Sequence, residues 1–450
     1  MALLVGGCAH FDANPLDVAK TASDFDQRRL DAPELRVFIE TNLGPVSVWP
    51  LAEWNFEQLT LAALFLHPKL DVARAELASV RAAEITAGGR PNPTVGITPE
   101  YNFNAAGGVS PWIATLQFDI PIETAGKRGY RIARARHWSE ATRLRLGSVA
   151  WEVRSGVRIA LIDHHDAGQR AELLSRQLAA QQRALTAMET KLSLGAATTA
   201  EVAPARLALA RTRKNIADAR VQADEARARL AAAIGVPLKS LPPVAALNAD
   251  VTTDAALASA EARRRALTSR ADPLAALAEY AAAETALRLE IAKQYPDVHL
   301  GTGYQFDQGD NKWALGLTVE VPVLNRNQGP IAEAEAKRGE AAARVLGLQA
   351  RIIGEVDRVL VVWHGAQSRL AAMKEFRAAQ ETRVKSLQAQ FDAGAIESLD
   401  VLTAKAELAA DELFHWEARV KALRAFGELE DAIQFPLPLD LSLNPRRSEP

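Results

Sequence analysis

Two strand hairpins, each with one apolar and one polar face, interrupt helical runs that are too long for a globule. The first hairpin occupies residues 93–122, "PTVGITPEYNFNAAGGVSPWIATLQFDIPI", and the second residues 296–323, "PDVHLGTGYQFDQGDNKWALGLTVEVPV". Each has proline at the entry, a Gly- or Asp-rich turn, tryptophan opening the return strand and proline near its end. Trp112, Ala114, Leu116, Phe118, Ile120 and Ile122 alternate with Ile113, Thr115, Gln117, Asp119 and Pro121. In the second copy Trp313, Leu315, Leu317, Val319, Val321 and Val323 alternate with Ala314, Gly316, Thr318, Glu320 and Pro322. The outgoing strands set Val95, Ile97, Tyr101 and Phe103 against Thr94, Thr98, Glu100 and Asn102, and Val298, Leu300, Tyr304 and Phe306 against His299, Gln305 and Asp307. A period of two residues is the signature of a strand.

Between the hairpins the texture is Ala/Leu/Arg/Glu at helical spacing. From Ala125 to about Leu194 the pattern predicts one helix, which at ~1.5 Å per residue spans on the order of 100 Å. Within it Leu174, Leu178, Leu185, Met188 and Leu192 keep a heptad, and beyond Gly195 so do Val202, Ala205, Leu209, Ile216, Ala219, Ala223, Ala226 and Leu230. Leu194-Gly195-Ala196 is therefore the tip of an antiparallel helical hairpin. At an offset of 199 residues Met373 answers Leu174, Val384 answers Leu185, Phe391 answers Leu192 and Gly394 answers Gly195, which makes Ala393-Gly394-Ala395 a second tip. The chain is an internal duplication.

The expected organisation follows. Residues 1–55 form an irregular N-terminal arm, and 56–236 a first repeat with its hairpin at 93–122 and tip at 194–196. A Pro-rich connector covers 237–257. Residues 258–434 form a second repeat with its hairpin at 296–323 and tip at 393–395, and 435–450 a disordered tail. The helix near the start of the first repeat should break at His67-Pro68, and Pro273 answers Pro68.

No run of 18 or more apolar residues exists in the sequence, so a membrane would have to be crossed by strands. Strands of about 10 residues with one apolar face have the length and alternation for that. Four strands cannot close a barrel, and open edges in lipid leave unpaired backbone groups costing several kcal/mol each. Other copies of the chain must meet those edges. Two copies would supply eight strands and three twelve, and only the wider barrel leaves a water-filled lumen comfortably lined by Glu100, Asp119, His299, Gln305, Asp307 and Glu320, which favours three. The fold class expected is an α+β membrane protein, a long antiparallel α-helical coiled-coil barrel joined to a transmembrane β-barrel of four strands per chain, closed only in a homotrimer. A soluble helical core covering both hairpins is the alternative, but long helices offer no globular core for the apolar faces.

Charge excludes some partners. The 53 Lys and Arg against 55 Asp and Glu are interspersed, which argues against nucleic-acid binding. The single cysteine, Cys8, follows Leu4-Val5-Gly6-Gly7 and resembles a lipobox, whose cysteine carries lipid; Met1-Ala2-Leu3 supplies no basic segment and too few apolar residues for a signal peptide, so a truncated start is expected. An incidental cysteine is the alternative. His164-His165, flanked by Asp163 and Asp166, are adjacent and so do not share a helix face as metal ligands should; a surface position is expected. No Ser/His/Asp arrangement, phosphate loop or HExxH occurs, so neither catalysis nor a cofactor has a motif.

The duplicated order of helix, hairpin and long helices resembles the TolC family of outer-membrane efflux channels over about Trp54 to Gln434. "FDIPIETAGKRGYRIARA" (118–135) and "VEVPVLNRNQGPIAEAEA" (319–336) are similar to the segments where family strands hand over to periplasmic helices. Gly126-Lys127-Arg128 and Asn325-Arg326-Asn327-Gln328-Gly329 resemble the branch serving heavy-metal and related cation pumps of the resistance-nodulation-division type. The resemblance implies a passive duct for metal cations or drugs in the outer membrane of a Gram-negative bacterium, reaching into the periplasm and docked to an adaptor (membrane fusion protein) and an inner-membrane pump. It implies adaptor contacts at Leu194, Gly195, Ala196, Ala393, Gly394 and Ala395. It also implies an acidic ring at the periplasmic aperture at Asp400, with Asp392 and Glu397 flanking the same tip; a neighbouring acidic position of the family falls on Thr403. Helix capping is the other reading of these carboxylates. A lipid-anchored periplasmic coiled-coil scaffold without a pore is the rival function, and it has no use for two-faced strands.

Overall fold

The computed structural model describes residues 10–245 and 259–437. Its frame is two long helical hairpins carrying one sheet. In the first repeat α3 (Phe56–Leu66) and α4 (Pro68–Ala87) lead into β1 (Thr94–Tyr101) and β2 (Trp112–Ile122), and then α5 (Lys127–Ser193) and α6 (Thr199–Ile234). The second follows the same order: α7 (Ser259–Ser269), α8 (Ala271–Ala292), β3 (Val298–Asp307), β4 (Asp310–Val319), α9 (Gln328–Asp392) and α10 (Ser398–Ile433). Ahead of both lie α1 (Val18–Asp26) and α2 (Pro33–Leu43).

Local chemistry places the breaks. Asn55 and Gln58 cap α3 reciprocally, each side chain accepting the other's backbone N–H at 2.9 and 3.0 Å. Pro68 opens α4, where the missing N–H costs nothing. Gly195 (φ 71°) and Gly394 (φ 74°) end α5 and α9 in the left-handed region, and the N–H groups of Ala196 and Ala395 reach back to the carbonyls of Lys191 and Gln390 at 2.8 and 2.9 Å. The two tips are thus the same motif one repeat apart. Thr198 and Glu201 then cap α6 reciprocally.

The 67 residues of α5 span on the order of 100 Å and separate the sheet from the tips. Along that length Leu174 packs with Ile216 and Ala219, and Leu185 with Val202 and Leu209, as the heptads predict. The main core sits where the repeats meet, with Val157, Ile352, Val356, Trp363, Phe426 and Leu429 nearly inaccessible. The second hairpin is more loosely sealed near its tip: Val384 and Leu387 are half-buried and Phe391 is 39% exposed.

A buried ionic cluster stitches α5 to α10. Arg158 donates to Glu430 at 2.6 Å and to the Gly427 carbonyl at 2.8 Å, and it also meets Asp431, which accepts from Ser155 and Trp151 at 2.6 and 2.9 Å. Such groups are tolerated inside because every charge has a partner.

Three expectations need correction. The arm up to residue 55 is not wholly irregular: Asp17 caps α1, Pro33 opens α2, and Leu35 and Ile39 enter the core. Arg28 pins the arm by donating to the carbonyls of Leu66 and Gly235 at 2.7 and 3.2 Å. The C-terminal tail begins ordered, since Leu437 is buried and its N–H donates to Glu430 at 2.8 Å. Finally β4 ends at Val319, so Glu320, Val321 and Val323 lie beyond the paired strand.

Candidate functional site

The four strands form one antiparallel sheet in the order β1-β2-β3-β4. Its register matters more than its existence, because a slip of one residue would mix the faces. Val95 pairs with Phe118, Ile97 with Leu116, and Tyr101 with Trp112. Leu116 pairs with Tyr304, Ile120 with Leu300, and Leu300 in turn with Leu317. Every strand therefore contributes its apolar set to one continuous face, and Ile97, Trp313, Leu315 and Leu317 are 70–83% exposed there. Among the described residues no helix covers this face, and β1 and β4 leave open edges.

Aromatic rings gather at the hairpin end. Tyr101 lies 5.0 Å from Phe103 and 5.1 Å from Trp112, and Tyr304 lies 5.0 Å from Trp313. The tyrosine and tryptophan rings among them are amphipathic bodies suited to a membrane–water interface.

The opposite face carries the expected polar residues. Glu100, Asp119, His299 and Asp307 all lie on it, and Glu320 stands one residue past the end of β4. Asp119 Oδ2 is 2.9 Å from His299 Nδ1. Asp307 accepts from Lys312 at 2.5 Å. Lys312 joins these residues on the same face, where its parity with Ala314 and Thr318 in the sequence puts it.

Where sheet meets helices, the joint is polar and tightly bonded. Thr124 N–H and Lys127 Nζ both donate to Asp297, at 2.9 and 2.8 Å, and Thr124 Oγ1 donates to the Pro296 carbonyl at 2.5 Å. Burial pushes the Asp297 carboxyl up, but the bonds from Lys127 and Thr124 outweigh it and hold the group below the usual carboxylate range. Glu123 is likewise lowered, chiefly by the Arg131 guanidinium bonded to it. These contacts tie the ends of β2 and β3 to α5, so the sheet is held at a set angle to the helices.

At the far end all the expected contact residues are exposed: Leu194, Gly195, Ala196, Ala393, Gly394 and Ala395. Lys191, at the end of α5, pairs with Glu397, at the start of α10, so the two tips are brought together. Asp400 is exposed and caps its own helix, accepting from the Glu397 N–H at 3.3 Å. Asp392 accepts from Gln388 at 2.9 Å. Capping and an aperture role are compatible, since the other carboxylate oxygen of Asp400 takes no bond among the described residues.

His164 and His165 do not lie on the surface as expected. Both are half-buried, with His165 stacked edge-on against Trp416 at 5.5 Å, while Trp416 Nε1 donates to Asp166 at 2.9 Å. Burial lowers both imidazole pKa values, and the positive charge of Arg419 lowers that of His165 further. Asp163 and Asp166 accept from Arg424, so the "DHHD" stretch is a helix-packing device. Cys8 lies outside the described residues. Among those described, no helix is long and apolar enough to cross a membrane, and no group of three or more His, Cys, Asp or Glu is placed to hold a metal.

A two-faced sheet with open edges, joined to helical hairpins on the order of 100 Å long, defines the protomer of a strand-and-helix channel. The comparisons with known proteins specify it. The family described as "Outer membrane efflux protein" matches residues 60–236 and 255–433, the two repeats. The chain belongs to that family and is an outer-membrane efflux channel, a passive conduit rather than an enzyme. The cobalt-zinc-cadmium resistance protein CzcC of Cupriavidus metallidurans is 24% identical over 325 residues, 71% of this chain and 75% of that protein. Among solved structures CusC superposes with a TM-score of 0.70 at 19% identity, covering 88% of this chain and 96% of that one. The outer membrane protein VceC of Vibrio cholerae gives 0.68 at 20% identity, covering 85% and 97%. The outer-membrane channel OprN gives 0.70 at 18%, covering 85% and 90%.

Proposed function

We propose that three copies of this chain close a twelve-stranded barrel whose polar face lines an export duct. The observation that carries this is the pair of open edges on a sheet with one continuous apolar face. In lipid each unpaired backbone group on β1 and β4 costs several kcal/mol, and pairing β4 of one copy with β1 of the next removes every edge. The polar face then turns inward with Glu100, Asp119, His299, Asp307 and Lys312, and Glu320 sits at the barrel's inner rim. The helical hairpins continue the duct across the periplasm, and their Gly tips meet the adaptor of a three-part assembly driven by an inner-membrane pump.

Asp400 from three copies, flanked by Asp392 and Glu397, forms the acidic periplasmic aperture. Like charges brought together on an axis attract cations. The Lys191–Glu397 pair holds the two tips of each copy together and is one contact that opening must break. The passenger is a metal cation, a reading supported by the likeness to a cobalt-zinc-cadmium resistance protein. Lipid on Cys8 adds an anchor at the outer membrane.

The test is conductance. Purified protein added to a planar bilayer should give uniform single-channel steps, cation-selective because the lumen and aperture carry more carboxylates than ammonium groups. Lipid binding without conductance, in wild type and in Asp400→Ala alike, would favour a scaffold without a pore.

A further inference from the structure

His299 is the second residue of β3, so it stands where the helices hand over to the sheet. Its Nδ1 lies 2.9 Å from Asp119 Oδ2, and the two side chains remain 43% and 42% exposed on the polar face. A carboxylate only accepts hydrogen bonds, so the ring must donate from Nδ1. In its neutral form the imidazole then keeps an Nε2 lone pair that takes no hydrogen bond among the described residues. A carboxylate that fixes the tautomer and aims the ring is the arrangement found behind metal-ligating histidines.

The neighbouring carboxylate is otherwise engaged: Asp297 accepts from Lys127 and Thr124, leaving Asp119 as the partner of His299. Thr318 and Pro121 flank His299 across the strands, but toward the middle of the sheet the surface beside the pair is bare. Gly301 is opposite Asp119, Gly316 is opposite Gly301, and Gly303 follows on the same face, so no side chain rises next to the imidazole on that side. A hydrated cation has room to approach.

We infer that His299, oriented by Asp119, is a single-imidazole contact for borderline divalent cations such as Zn²⁺ and Co²⁺ at the entry from the helical duct into the barrel. It rests on the reading of the polar face as a lumen. With one protein nitrogen per chain and water completing the shell, the site is weak, as a passage site must be if the ion is to leave again. Hard cations such as Mg²⁺ prefer oxygen and gain nothing from it, whereas affinity for an imidazole nitrogen rises from Mn²⁺ through Co²⁺ toward Cu²⁺, with Zn²⁺ below Cu²⁺. His299 is the ligand and Asp119 a positioning residue.

The experiment uses the full-length protein in planar bilayers, with millimolar Zn²⁺, Co²⁺ or Mg²⁺ added from the hairpin side at pH 8. Each variant's current is normalised to its own current in Mg²⁺. Wild type should show block or added current noise with Zn²⁺ and Co²⁺ and none with Mg²⁺. His299→Ala and the more conservative His299→Gln should lose the Zn²⁺ effect, and His299→Cys should restore it through a thiolate. Asp119→Ala should raise the Zn²⁺ concentration needed by about tenfold or more. That Zn²⁺-against-Mg²⁺ difference is a readout that a merely structural defect would not move. Conductance with the Zn²⁺ effect intact in both His299→Ala and His299→Gln overturns the site and leaves the duct standing. Absence of conductance from wild type overturns the lumen and the site together.

Discussion

Leu317 and Thr318 are neighbours on β4 that the register sends to opposite faces, and they offer a direct test of which face meets lipid. Leu317 pairs with Leu300 on the apolar face and is 70% exposed, while Thr318 pairs with His299 on the polar face. Counting from the aromatic end at Trp313 to Val321 beyond β4, Leu317 falls at the middle of the apolar band. An arginine at the bilayer midplane costs about 2–4 kcal/mol per strand position. Because the substitution occurs in every copy, Leu317→Arg should cost about 6–12 kcal/mol per trimer, comparable with the whole stability of an ordinary domain. Thr318→Arg places its charge in water and should cost little. The assay is the fraction of trimer recovered in detergent, followed by urea titration in lipid, with conductance recorded for Thr318→Arg. Leu317→Arg should lose the trimer, while Thr318→Arg should keep it and shift ion selectivity toward anions. Trimer loss in Thr318→Arg but not in Leu317→Arg would show that the faces are reversed.

Asp400→Ala should weaken block by multivalent cations applied from the tip side while leaving assembly intact, with Glu320→Ala as the control; block that survives Asp400→Ala but not Glu320→Ala would move the acidic ring to the barrel rim. The junction should be pH-sensitive in one direction. Asp297 has a folded pKa below its unfolded value, so its contribution is present above the ordinary carboxylate range and is lost as pH falls through the lower folded value. Asp297→Asn should accordingly be less stable than wild type at pH 7, with the gap closing as the pH falls below about 4; a gap that widens on acidification would contradict the assignment. At Gly427 an added Cβ would stand 2.6 Å from Arg158 Nε, and Arg158 cannot swing away without leaving Glu430. Gly427→Ala should therefore cost about 1–3 kcal/mol, read as a lower thermal midpoint, and an unchanged midpoint would refute the crowding.

Much of this architecture was legible because it is written in short-range periodicity. The two-residue alternation of Trp112 to Ile122 and the heptads from Leu174 to Leu230 depend on neighbours a few positions away, and the 199-residue offset doubled the signal. What escaped notice depends on distant partners. Arg158 and Glu430 are 272 residues apart, and nothing near either announces that they share a buried bond. Prolines and glycines punctuate the arm and give it an irregular look in sequence, yet Leu35 and Ile39 are drawn into a core built by later helices. Adjacent His164 and His165 suggest a surface position, but both are half-buried and Trp416 from α10 packs against His165. At the candidate site the alternation placed Asp119 and His299 on one face correctly, whereas their hydrogen bond required the β2–β3 register, which no single strand contains.

The central proposal is that the sheet is complete only in threes, and native mass in detergent tests it most directly. Protein solubilised from outer membranes should have the mass of three chains once detergent is subtracted, and it should fall apart when β1 or β4 is made unable to pair by proline substitution. A monodisperse single chain that remains soluble in detergent and binds lipid would contradict the account.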